Sequence, residues 1–152
     1  MLYVAPKFTS AGSRPAYAAV TGAGGCTPGF WKTDTPSTDW GPTGYSPTKR
    51  YDEVFNVAGF STELGGASNT LQVVLGLGGG CPYNLARHSV AALLNAALGT
   101  LGSLTPADII TATNTALSGG DCSSGGAIEM QKDVFEALND TGCRDVDPGI
   151  SD

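Results

Sequence analysis

One face of the segment 82–98 carries the side chains best placed to do chemistry. Asn84, His88 and Asn95 follow one another at steps of four and seven residues, which puts all three on one side of a helix. His88, the chain's only histidine, could serve a hydrolase as general base. It could not hold a metal ion alone, because no second ligand is paired with it by spacing. The interpretation we favour is structural: His88 and Asn95 hydrogen-bond loop carbonyls where the helix packs under an irregular segment.

The four cysteines predict two disulfide bonds. Cys26, Cys81, Cys122 and Cys143 are widely spread, and no Cys-x-x-Cys pair of a zinc or redox motif occurs. Three pairings are possible. We favour Cys26 with Cys143, joining the start of the globule to its end, and Cys81 with Cys122, joining the central helix to a glycine-rich loop. Cys81 as a nucleophile beside His88 is less favoured, since seven residues span about 10 Å of helix.

The polar stripe lies on the longest strongly helical segment of the chain. This central helix is expected to begin after three glycines with Pro82 in its first turn, and to stop at Gly99. Apolar residues recur along it at three- and four-residue steps: Leu85, Val90, Leu93, Leu94, Ala97 and Leu98. The pattern predicts a helix that is buried on more than one side.

Four further helices are expected around the central one. A short helix opens at Ser46-Pro47, and another spans residues 68–76. A third starts at the cap Thr105-Pro106-Ala107-Asp108 and stops at Gly119-Gly120. The last runs from about residue 127 to 138. We therefore predict a mainly α fold, a small disulfide-stapled bundle of four to five helices.

A long ordered loop rich in aromatic residues is expected between residues 26 and 47. We favour the interpretation that its rings pack inward, because a loop of this length in a small domain needs internal anchors. The alternative is a carbohydrate-stacking platform made by Trp31, Trp40 and Tyr45. In the hydrolase hypothesis the same loop brings a carboxylate, Asp34 or Asp39, to the histidine.

The composition indicates a secreted or cell-surface protein. Only 14% of the 152 residues are charged, 22 are glycine, and the formal net charge is −6. The negative charge argues against nucleic acid as a partner. No segment approaches the roughly 20 apolar residues of a membrane span. No motif for a cofactor or a metal is found.

The chain divides into an extended N-terminal arm, residues 1–25, a helical domain, residues 26–143, and an acidic tail, residues 144–152. The arm carries Lys7 and Arg14 and no acidic residue, whereas residues 133–152 sum to a charge of −5. Aromatic and aliphatic side chains in the arm are candidates for docking on the globule or on a second copy by strand addition: Leu2, Tyr3, Val4, Phe8, Tyr17 and Val20.

Several motifs resemble a module found in secreted and cell-surface bacterial proteins. The motifs are Cys26-Thr27-Pro28-Gly29-Phe30-Trp31-Lys32, Gly44-Tyr45-Ser46-Pro47 with Phe55, Leu77-Gly78-Gly79-Gly80, the helix Asn84–Ala96, and Gly142-Cys143. The resemblance covers about residues 25–143 and implies an extracellular setting without a known enzymatic activity. It also supports pairing Cys26 with Cys143. Cys81 stands where the module commonly has glycine, which leaves Cys122 as its natural partner.

These observations predict an extracellular structural or interaction protein rather than an enzyme. Its expected partners are copies of itself, assembled through the arm into a filament or surface layer. A glycan-binding surface module, or a module that binds other surface proteins, is the alternative. A hydrolase using His88 is a third hypothesis.

Overall fold

The computed structural model describes residues 25–33 and 40–142, and within them the fold is mainly α. Its helices are α1 (Pro28–Thr33), α2 (Ser61–Leu64), α3 (Leu71–Leu75), α4 (Tyr83–Ala97), α5 (Pro106–Gly119) and α6 (Ala127–Asn139). Short 3₁₀ helices span Gly41–Thr43 and Tyr51–Glu53. The predicted arm, except Gly25, and the predicted tail lie outside the described residues. In the part of the chain described, no helix has the length and apolar character needed to cross a membrane.

Helix α4 is the centre of the fold. Leu85, Ala86 and every residue from Ser89 to Ala96 are buried. The other two long helices pack against it, as do α1 and α3. The prediction of a central helix buried on more than one side is confirmed.

The three long helices alternate in direction. Asn84, near the start of α4, contacts Glu129 near the start of α6, and Asn95 contacts Asn139 at the end of α6. The two helices are therefore parallel. Helix α5, which comes between them in the sequence and leads to Cys122 beside the start of α4, runs in the opposite direction. This arrangement gives the bundle two ends, about 21 Å apart along α4. We call them the disulfide end, at Cys81 and Cys122, and the terminal end, at Gly25, Cys26, Asn95, Asn139 and Thr141.

Local signals place the ends of α5 where the sequence predicts them. The Thr105 hydroxyl accepts a hydrogen bond from the Asp108 backbone N–H, and the Asp108 carboxylate accepts one from the Thr105 N–H. This reciprocal capping box satisfies two backbone donors that a helix start leaves open. Gly120 closes the helix in the left-handed conformation, with φ of 65°.

Two predicted elements differ from the structure. The helix expected after Ser46-Pro47 is a turn followed by the 3₁₀ helix, and the one expected at 68–76 shortens to α3. The reason is a local pairing of the two segments. Arg50 is extended and bridges Thr70, with backbone bonds from Tyr51 N to Asn69 O and from Leu71 N to Lys49 O, both 2.8 Å. These bonds use groups that a helix through residues 49–51 or 68–70 would need.

Candidate functional site

The two indole rings of the aromatic-rich segment, residues 26–47, belong to the hydrophobic core. Trp31 and Trp40 have no exposed surface, and their rings meet edge to face with centroids 6.1 Å apart. The Trp40 indole N–H donates to the Trp31 carbonyl at 3.4 Å. Neither ring has a face that a sugar could reach, so a stacking platform of Trp31, Trp40 and Tyr45 is ruled out. Tyr45 alone is half-buried. The segment also holds α1, whereas the sequence predicted an irregular loop throughout.

Asn95, in the last turn of α4, is the best-connected polar side chain of the predicted stripe. Its Oδ1 accepts hydrogen bonds from the Cys26 backbone N–H at 3.0 Å and from the Trp31 indole N–H at 3.1 Å. Its Nδ2 donates to the Cys26 carbonyl at 2.9 Å and to Asn139 Oδ1 at 2.8 Å. The side chain is fully buried. It therefore holds the segment that enters the globule, as the structural interpretation predicted.

His88 contacts a different element from the one predicted. Its backbone carbonyl accepts from Asn139 Nδ2 at 3.1 Å, and its ring Nδ1 lies 3.4 Å from the same nitrogen. The predicted partners of His88 were loop carbonyls of the Cys26–Lys32 segment. The side chain instead faces α6, about two helical turns before Asn95.

The first residue of the stripe also faces α6. Asn84 Nδ2 lies 3.4 Å from Glu129 Oε1. Glu129 is one of three acidic residues that surround Lys132 Nζ, at 3.4 Å, with Asp133 at 2.8 Å and Glu136 at 3.2 Å. The hydrogen bond to Asp133 raises the pKa of Lys132 most, and the hydrogen bond to Glu136 raises it further. The whole stripe thus lies along the interface of α4 with the last helix.

The terminal end also brings the two ends of the described chain together. The Gly25 N–H donates to Thr141 Oγ1 at 2.7 Å, across 116 residues of sequence. A Cβ atom on Gly25 would lie 2.5 Å from the Leu138 carbonyl oxygen and 2.9 Å from Asn95 Nδ2. Because real Cβ contacts are not that short, only glycine lets the backbone approach α6 so closely.

The predicted disulfide between Cys81 and Cys122 is confirmed. The bond ties the start of α4 to the loop between α5 and α6, with Cα atoms 5.6 Å apart. Cys26 is itself disulfide-bonded. Cys143 lies outside the described residues, so the pairing of Cys26 with Cys143 stays a prediction.

The charges that act on His88 come from α6 and from its own helix. Burial lowers the pKa of His88; the Glu136 and Asp133 carboxylates oppose that shift, and Arg87 and Lys132 reinforce it. The carboxylates of the hydrolase hypothesis, Asp34 and Asp39, lie outside the described residues. Among those described, no group of three His, Cys, Asp or Glu side chains is arranged to hold a metal ion.

Sequence reasoning missed the partners of the stripe. Asn139 is 1% exposed and links Asn95 to His88. On α4, the Ser89 hydroxyl donates a hydrogen bond to the Ala86 carbonyl and accepts one from the buried Tyr51 hydroxyl at 2.9 Å. A signal for Asn139 was present: it follows Phe135 by four residues and so shares the inward face of α6. A polar residue on an inward face indicates a buried partner.

Comparisons of the chain with family models, with curated proteins and with solved structures give no match.

Proposed function

We propose that this chain is an extracellular structural protein that associates with copies of itself through the arm, residues 1–25. The observation that carries the proposal is the use made of the polar stripe. In its best-connected side chain, Asn95, both amide hydrogens and the carbonyl oxygen form hydrogen bonds that hold the segment at Cys26 and Trp31 to α6. Groups that could have done chemistry act instead as ties within a scaffold.

The terminal end supports an association that starts there. Gly25 and Thr141 are in contact, so the arm and the tail are attached to the globule at the same end of the bundle. The arm carries positive charge and the tail is acidic. An arm that reaches a second copy brings the terminal ends of the two globules towards each other, where opposite charges can pair.

The disulfide bond supports the extracellular setting. Disulfides form and persist in oxidising compartments, and Cys81–Cys122 joins residues 41 positions apart. The low charged fraction and the resemblance to a module of secreted proteins agree with this setting. No observation on the described residues favours a glycan-binding function, because both tryptophans are in the core.

The test compares the whole chain with a variant lacking residues 1–22. The deletion leaves Gly25 and the contacts of Cys26 in place, so circular dichroism and the thermal midpoint should stay unchanged. Light scattering and negative-stain microscopy should show assemblies of the whole chain and monomers of the deletion variant. A matched control replaces Lys49, an exposed residue of the globule, by alanine and should assemble normally. Unchanged assembly on deletion, or a monomeric whole chain, contradicts the proposal.

A second variant separates the apolar side chains of the arm from its length. Replacing Tyr3, Phe8 and Tyr17 by serine keeps all residues and both positive charges. If strand addition with inserted rings drives association, this variant should be monomeric like the deletion. Assembly at the wild-type level would show that the rings are not the contacts.

A further inference from the structure

The amide groups at the terminal end form a chain of hydrogen bonds with a fixed direction. The Cys26 backbone N–H and the Trp31 indole N–H can only donate, so the Asn95 atom that they share is its carbonyl oxygen. Asn95 Nδ2 must then be the donor to Asn139, and the Asn139 atom that accepts is Oδ1. The orientation of both amides follows from donors that cannot reverse, which removes the usual ambiguity of asparagine side chains.

The direction of these hydrogen bonds determines the protonation state of His88. Because Asn139 accepts through Oδ1, it presents its NH₂ group to His88. One hydrogen of that group is donated to the His88 carbonyl, and the ring Nδ1 faces the other at 3.4 Å. Nδ1 can accept only when it carries no proton. The arrangement therefore requires neutral His88 with its proton on Nε2.

The surroundings of the ring oppose a positive charge on balance. Partial burial lowers the pKa of His88, and Arg87 on α4 and Lys132 on α6 lower it further. Glu136 and Asp133, both on α6, act in the opposite direction. These are the charged groups that bear on the ring from its own helix and from the helix packed against it.

We infer that His88 is an acid-sensitive lock on the terminal end, which loosens the hold on Gly25 and Cys26 when its ring takes up a proton. A proton from solvent adds to Nδ1 and sets an N–H group against the NH₂ of Asn139, where two donors face each other. Asn139 then gives up the contact, and its bond to Asn95 loses its fixed geometry. The effect reaches Cys26 through Asn95, which holds both backbone groups of that residue.

The sign of the pH dependence follows from the direction of the pKa shift. In the loosened form His88 is solvated and titrates near its ordinary value of about 6.5. In the locked form its pKa is lower, so the loosened form binds protons more readily as the pH falls below neutral. The locked form is fully stabilised at pH values above that ordinary pKa, and its stabilisation decreases as the pH falls towards the native pKa. Below the native pKa it weakens no further.

Hydrogen exchange measured by mass spectrometry at pH 7 and pH 5, corrected for intrinsic rates, tests the inference. Peptides covering residues 25–31 and 133–142 should lose protection at pH 5 relative to pH 7, because the loosened form takes up the proton more readily than the locked form. Peptides around Cys81 and Cys122, at the other end of the bundle, are the internal control and should not change. In His88→Asn, whose Oδ1 replaces Nδ1 as an acceptor that cannot titrate, protection should be the same at both pH values. An equal loss in wild type and variant, or no loss in wild type, overturns the inference.

A second measurement needs no variant. Since His88 is the only histidine, one set of imidazole ¹⁵N signals reports on it without assignment. At pH 7 the chemical shifts should show an unprotonated Nδ1 and a protonated Nε2, with a midpoint of titration below 6.5. A proton on Nδ1 at pH 7, or a midpoint at or above 6.5, overturns the inference.

Discussion

Asn95 joins three parts of the chain that are far apart in sequence. Through one amide it holds Cys26, Trp31 and Asn139, in a site without access to water. A buried polar group that loses its partner costs roughly 1–3 kcal/mol of folding free energy, since no water replaces the lost bond. The stability of the terminal end therefore depends on the hydrogen bonds of Asn95.

We expect Asn95→Ala to lower the free energy of unfolding by about 3–5 kcal/mol, because four buried groups lose a hydrogen-bond partner. Urea unfolding with the disulfides intact measures it. Asn114→Ala is the matched control: its side chain accepts one exposed bond, from the Asn56 N–H at 2.8 Å, and its loss should cost less than about 1 kcal/mol. Equal costs at the two positions would contradict a special role for Asn95.

At the scale of elements, α5 shows how local signals place a helix. Its capping box lies on the surface and joins Thr105 to Asp108, three residues further on, so the start of the helix can be predicted from neighbouring residues. The segment after Pro47 shows the opposite case. There the pairing of Arg50 with Thr70 takes the backbone groups that helix formation needs.

We expect Thr105→Ala to lower stability by about 1 kcal/mol, the usual cost of an N-cap. Thr111→Ala, on the exposed face of the same helix, should be neutral or slightly stabilising because alanine has the higher helix propensity. Thermal unfolding of both variants measures the difference. A neutral Thr105→Ala would show that Pro106 and Asp108 start the helix without the cap.

At the scale of the whole molecule, the bundle is tied at both ends. The disulfide end has the covalent bond Cys81–Cys122, and the terminal end has the hydrogen bonds of Asn95 in addition to the disulfide-bonded Cys26. A disulfide bond acts mainly by restricting the unfolded chain, whereas the hydrogen bonds act in the folded state.

Replacing Cys81 and Cys122 by alanine should lower the free energy of unfolding by about 4 kcal/mol, the loop-entropy estimate for a closed segment of this length. Denaturant unfolding measures the loss. Hydrogen exchange on the same variant should show increased opening around residues 78–82 and 120–126, with the terminal end unchanged. Loss of protection at Cys26 of the same size would show that the two ends are not independent.

Much of the fold could be predicted from the sequence. The central helix, the start and stop of α5 and the last helix follow from patterns of neighbouring residues. The count of cysteines predicted two disulfide bonds but left three pairings open, of which Cys81–Cys122 was a favoured part. The candidate site could be predicted only in part. The spacing of Asn84, His88 and Asn95 identified the stripe, but not that α6 covers it or that Asn139 completes it.

What the sequence by itself determined was therefore the three long helices and the residues that share a face. Helix periodicity, caps and glycine stops act within a few residues, so they can be read along the chain. Only the tertiary structure decided that Trp31 and Trp40 are core residues rather than a binding surface, and that Asn95 joins Cys26 to Asn139. Those outcomes depend on which faces meet, and contacts across 44 to 69 residues leave no local pattern in the sequence.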